Sequence, residues 1–164
     1  MTVNLTLAKQ HLKLETADED ALVAVYLSAA TAWVEGYTGK LLTRRYVTQE
    51  EPGFATYLAL SWGPSPADLS LAYTDSDGAE QTLSDARLVG LRAYAPLAGW
   101  PTSDDYAPVV LTYTAGFETA PADLDAAILL LTGEYHRNRE AGSAAPSTIA
   151  AVEALCRPHR DVLI

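Results

Sequence analysis

The sequence predicts an α+β fold: a small helical bundle built from N- and C-terminal helices, with an antiparallel β-sheet inserted between them. Three observations carry this. Apolar residues recur at helical spacing over Thr16–Gly39 and again from Pro121 to Gly142. Between them the texture changes to short alternating runs punctuated by Gly, Pro and Asp. No internal repeat is present, so one domain over 1–164, with a helical core of 1–43 and 120–164 and a β insertion at about 44–118, explains the order better than two domains in series.

The first helix is short: Thr6 can cap Leu7–Leu12, with Leu7, Gln10 and His11 on one face. Thr16 and Glu19 then form T-x-x-E, a capping box, and Asp18, Glu19 and Asp20 place negative charge at the positive end of the helix dipole. Leu22, Val25, Tyr26, Ala29, Trp33, Val34 and Tyr37 follow at helical spacing, and Val23, Leu27, Ala30 and Val34 form a second line beside them. Together they span an arc of roughly 200°, where a surface helix needs only somewhat more than about 100°. This predicts a helix covered on more than one side: either central in a small monomer, or packed on its own core and on a neighbouring subunit. Gly39 suits a left-handed C-terminal cap.

Strand formers Tyr46, Val47 and Thr48 open the β region. Phe54–Trp62 alternates, Gly63-Pro64-Ser65-Pro66 breaks it, and Leu69, Leu71 and Tyr73 alternate again. Asp77-Gly78 is a hairpin signal before Gln81–Leu83. Arg87–Tyr94 reads as one further strand, Ala95–Ala107 as a loop, and Val109–Thr114 as the last strand, giving about five or six strands in one sheet. Pro121 fits the first position of the next helix, whose stripe is Leu124, Ala127, Ile128, Leu131 and Tyr135. Leu129 and Leu130 widen that stripe, so this helix too is expected to be covered on more than one side. Gly142 ends it. Ser147 can cap a last helix with Ile149, Val152, Leu155 and Cys156 inward, and Pro158 stops it. The apolar end Val162-Leu163-Ile164 suggests docking on the same or another subunit.

A chain of 164 residues, 49% of them apolar, can bury a core without staples. No apolar run reaches the roughly 20 residues of a membrane span, and Met1–Lys13 does not read as a signal peptide. One cysteine cannot form an intrachain disulfide, which points to assembly in a cytosol. The net charge of −10 is unevenly placed. Residues 1–45 carry five basic and five acidic side chains, and 134–164 carry four of each. Residues 46–133 carry Arg87 and Arg92 against twelve carboxylates. Such a segment repels nucleic-acid phosphate, so direct DNA binding there is disfavoured.

Templates for chemistry fail. Neither a G-x-S-x-G elbow nor a phosphate-binding loop is present. Cys156 and His159 are separated by Pro158 and lack a third partner. Asp75–Gly78 departs from a calcium loop and reads as a turn, and Asp104-Asp105 has no His or Cys nearby. No cofactor, metal or catalytic residue is therefore expected. The densest polar cluster is Tyr135–Glu140, with His136 and Glu140 four apart, as are Tyr135 and Arg139. It is either a solvated last turn complementing the helix dipole or an ion-pair surface between subunits.

The residues then match a known pattern. L-T-L-A-K-Q-H-L-K-L, D-E-D-A-L and A-A-T-A-W-V-E-G-Y-T-G-K at the N-terminal end resemble the head–tail connector (adaptor) proteins of long-tailed bacteriophages and phage-derived gene-transfer particles. So do V-V-L-T-Y-T-A-G-F, P-A-D-L-D-A-A-I-L-L-L and Y-H-R-N-R-E, and the closing A-V-E-A-L-C-R-P-H-R, where the family more often has leucine at the place of Cys156. The resemblance covers both helical ends, a little under half the chain. It implies a non-catalytic ring, commonly of twelve subunits, beneath the portal protein at the head–tail junction of the virion. Such a ring extends the DNA channel without specific DNA binding, and it offers a surface to the next neck or tail component. Neither a membrane nor a cofactor is implied.

Under that reading the Leu22–Trp33–Tyr37 side of the long helix is the subunit's own core. Val23, Leu27 and Ala30, with Arg137 and Arg139, are then the candidate subunit contacts, and Leu27→Glu is expected to impair ring formation. The competing reading is a small ligand- or protein-binding accessory domain. Its pocket would lie on the inserted sheet near Trp62, Trp100 and the Asp104-Asp105 loop.

Overall fold

The computed structural model describes residues 3–139 and 146–160. The chain forms two compact units: residues 1–42 with 119–164, and residues 43–118.

The first unit is helical. α1 (Leu5–Leu12) begins two residues earlier than expected because Asn4 is the cap: its side chain accepts from Leu7 N at 2.9 Å. α2 (Asp20–Thr38) begins later than expected, and the Thr16–Glu19 capping box is not formed. Glu19 occupies the N-cap position without a side-chain cap bond, because its carboxylate is held by His136 and Arg139. Gly39 ends α2 in the left-handed conformation (φ 70°), with its N–H on Glu35 O at 2.8 Å. α3 (Ala122–Arg137) follows Pro121, which sits one place before the helix as its N-cap. The α3 residues Leu124, Ala127, Ile128 and Leu131 have no accessible surface. α4 (Pro146–Cys156) contains Ser147 within the helix instead of at its cap, and buries Val152 and Cys156 completely. Pro158 stops it as predicted, inside a one-turn 3₁₀ segment, Arg157–His159. Gly142, Glu140 and the apolar end 162–164 lie outside the described residues.

α3 packs against α1, α2 and α4, as its wide apolar stripe requires. α2 behaves differently. Val23, Ala30 and Val34 are fully buried, and with them the line expected to face a neighbour becomes the chain's own core. Ala30 is small enough to let the facing helix approach, while Tyr26, Trp33 and Tyr37 are half-buried at the edges. Trp33 and Tyr37 stack on each other at 5.0 Å, and Tyr26 meets the rings of Tyr135 and His136. The rest of the apolar arc, including Ala21, Ala24, Val25, Ala29 and Ala32, is exposed. Among the described residues α2 is covered on one side only.

The second unit holds seven strands in two antiparallel sheets, where one sheet of five or six was expected. β1 (Arg45–Glu51), β7 (Val109–Ala115), β3 (Ala67–Thr74) and β4 (Glu80–Leu83) form the larger, in the order β1-β7-β3-β4. β7 is central and alternates its side chains between two environments, with Val109, Leu111 and Tyr113 fully buried. β2 (Tyr57–Ala59), β6 (Arg92–Tyr94) and β5 (Arg87–Val89) form the smaller, in the order β2-β6-β5. The run Arg87–Tyr94 is therefore a hairpin and not one strand: Gly90, at φ 60°, turns the chain so that Val89 pairs with Arg92.

Two devices hold this unit together. Tyr113 Oη donates to Gln49 Oε1 and accepts from Trp62 N, both at 3.1 Å, while Gln49 also binds Ser61 N and Ala59 O. This ties the large sheet to the end of β2. Gly116, at φ 123°, passes so close to Thr43 that a Cβ would lie 2.4 Å from its carbonyl oxygen. The glycine of the T-A-G-F motif is therefore a steric requirement.

Candidate assembly surface

The expected contact residues separate into three groups. Val23 and Ala30 are inside the helical unit and have no surface for a partner. Leu27 is half-buried. Arg137 and Arg139 lie beyond them at the end of α3. The Arg137 side chain is 79% exposed, with Glu134 at 4.0 Å. Arg139 is already engaged: Nη2 binds both carboxylate oxygens of Glu19, at 2.7 and 2.9 Å.

His136 Nε2 lies 2.8 Å from the same carboxylate. Within the chain, His136 and Arg139 of the polar cluster thus clamp the start of α2, while Arg137 stays exposed in the last turn of α3. Hydrogen bonds from His136 and Arg139 hold the Glu19 carboxyl below its ordinary range. A second clamp joins His159 to Asp123 at the start of α3, at 2.7 Å, and lowers that carboxyl as well. Asp125, one turn into α3, is pushed the other way by burial.

The chemistry searches end in ordinary packing. Burial raises the Cys156 thiol to about 11, and its sequence neighbour His159 is bound to Asp123. Asp75 organises the β3–β4 turn, accepting from Asp77 N, Ala79 N and Gln81 Nε2. Asp104 caps Tyr106 N. Trp100 stacks on Phe54 at 4.8 Å and donates its indole N–H to Ala55 O, and Trp62 N is taken by Tyr113. Trp100, Asp104 and the Trp62 backbone are thus each bonded to neighbours within the β unit. Among the described residues no group of His, Cys, Asp and Glu is placed to hold a metal, and no helix is long and apolar enough to cross a membrane.

What remains is surface. Val25 (63%), Tyr46 (75%), Val89 (64%), Leu97 (95%) and Tyr106 (97%) are large apolar or aromatic side chains left in water. Sequence reasoning singled out none of the five as surface residues, and it put Val25 on the core side of its helix. Scattered exposed apolar residues are normal. Here Val89 adjoins Arg87 and Tyr94 around an open groove of about 280 Å³.

Residues 2–63 match the family model described as phage gp6-like head-tail connector protein. Over almost its whole length the chain also resembles a solved structure titled "Neck of empty GTA particle computed with C6 symmetry". The identity is 30%, the match covers 99% of this chain and 91% of that one, and the TM-score is 0.83. The chain belongs to the head–tail connector family. The connector is similar to two further structures. "Virion of native gene transfer agent (GTA) particle" gives 29% identity, 99% and 91% coverage and a TM-score of 0.80. "Neck of native GTA particle computed with C12 symmetry" gives 28% identity, 100% and 94% coverage and a TM-score of 0.75. Comparison with curated protein sequences gave no match. The family match reaches the connector's N-terminal helices and the start of the β unit, and the structural matches extend it across the sheets and the C-terminal helices. The connector's role is therefore that of a structural neck protein.

Proposed function

We propose that this connector assembles into a ring at the head–tail junction of a phage or phage-derived particle, beneath the portal protein. There it extends the DNA channel and presents a docking surface to the next neck or tail component. The observation that carries this is the near-full-length similarity to a neck structure at 30% identity. Symmetries of C6 and C12 in the similar neck structures favour a closed cyclic assembly, with twelve as the working subunit number.

The chain's own chemistry fits a conduit. A net charge of −10, concentrated between residues 46 and 133, repels phosphate, so DNA passes without specific binding. The exposed Ala21–Ala32 side of α2, with Leu27 at its margin and Arg137 at the end of α3, is apolar and charged surface open to a partner. Deleting the gene in a particle-producing strain tests the reading. The expected result is filled heads lacking tails, restored by supplying the chain. Particles with normal tails in its absence would refute it.

A further inference from the structure

Strand register places six side chains on one face of the β2-β6-β5 sheet: Tyr57 and Ala59, Arg92 and Tyr94, Arg87 and Val89. The opposite face is the inner one, with Leu58 and Ala93 buried and Leu88 half-buried. The outward face carries no carboxylate, although residues 43–118 hold ten Asp and Glu against four Arg. Two of the four Arg are on it. The guanidinium of Arg92 lies over the Tyr57 ring at 4.7 Å, and Arg87 is anchored through Nε to Ala95 O at 3.2 Å. Stacked and anchored guanidinium groups are oriented for carboxylates and lose little freedom on binding them. A patch of Arg and Tyr around exposed Val89, depleted of acids, has the composition of an interface core and not of ordinary surface.

The complementary surface is on the same unit, at the end of the larger sheet. Asp75, Asp77 and Glu80 lie at or beside the β3–β4 turn. The bond from Asp104 N to Thr74 O brings Asp104, Asp105 and the 97% exposed Tyr106 next to them. The hydrogen bonds around Asp75 hold its carboxyl below the ordinary range. One chain thus carries a cationic aromatic face on one sheet and an anionic aromatic end on the other. Two different patches of opposite charge allow a head-to-tail contact, which generates a ring when its rotation closes.

We propose that the outward β2-β6-β5 face of each subunit receives the acidic β3–β4 turn and 104–106 loop of the next copy in the ring. This deepens the ring reading above and rests on it.

The test uses the full chain in particles and in solution. Arg87→Glu with Arg92→Glu changes side chains on the exposed face of strands, and unaltered circular dichroism and melting confirm that it folds. The proposal expects at least a tenfold loss of ring assembly, read by negative-stain images of necks and by mass photometry of the protein with portal. It also expects recovery when Asp77→Arg and Asp105→Arg are combined with the reversal. Normal rings from the double Glu variant would overturn the contact while leaving the ring reading intact. Lost assembly without recovery would overturn it too, by showing that the face meets a different protein or DNA. A wild-type chain that never joins a ring would overturn the ring reading itself.

Discussion

Replacing Val23 and Val25 by alanine, one at a time, separates the two sides of α2. Val23 has no accessible surface, and Val25 is 63% exposed. Each change removes two methyl groups, worth about 0.8 kcal/mol apiece when fully buried. At Val23 that is about 1.6 kcal/mol, and an uncollapsed cavity of about 50 Å³ adds roughly 1 kcal/mol. Alanine returns about 0.5 kcal/mol through its better helix propensity. The net expectation for Val23→Ala is a loss of about 2 kcal/mol. At Val25 only about a third of the transfer term applies, and the propensity gain cancels it, so Val25→Ala is expected within about 0.5 kcal/mol of the parent. Urea unfolding followed at 222 nm reads both, and the Val23 variant also melts about 4–8 °C lower. Equal losses at the two sites, or a larger one at Val25, would show that the core side of α2 has been assigned wrongly.

Gly116→Ala is expected to destabilise by more than about 3 kcal/mol, because it adds a Cβ against the Thr43 carbonyl at a backbone angle that favours glycine; loss of soluble yield or a large drop in melting temperature checks it. Tyr113→Phe leaves Trp62 N–H without its partner and should cost about 1–2 kcal/mol in the same unfolding assay. Cys156 should resist thiol reagents in the native protein: at about 11 its pKa leaves roughly one thiolate in a thousand at pH 8, and denaturant should release labelling by more than a hundredfold. The clamps predict acid sensitivity. Glu19 and Asp123 have lowered carboxyl pKa values, so their stabilisation is present above the ordinary carboxylate range and is lost as pH falls through their folded values. Asp125, raised by burial, acts in the opposite sense. Unfolding midpoints measured from pH 7 to pH 3 should therefore fall, and fall less steeply in Glu19→Gln.

Local signals were legible where local chemistry decides the outcome. The Gly39 cap, the Asp77-Gly78 turn and the Leu124–Leu131 stripe each depend on residues within a few positions. The capping box failed because the Glu19 carboxylate has stronger partners more than a hundred residues away, at His136 and Arg139. Periodicity located α2 but misjudged its sides. Alanine counts as apolar on either face, and the bulky aromatics that seemed to define the core instead flank it, stacked on one another. The Arg87–Tyr94 run hid its turn because Gly90 is a single residue in an otherwise strand-like stretch. Two sheets looked like one because nothing in a strand's sequence says which strand it pairs with. The candidate contact set inherited the α2 error: two of its five residues are core, one is committed to Glu19, and Leu27 and Arg137 keep surface.

The proposed ring is tested most directly by imaging particles whose connector carries a small C-terminal tag, decorated with a tag-specific fragment. The account predicts a closed ring of decoration, one fragment per subunit, in a single layer between the portal and the tail. Decoration elsewhere on the particle, or a single copy at the junction, would contradict it.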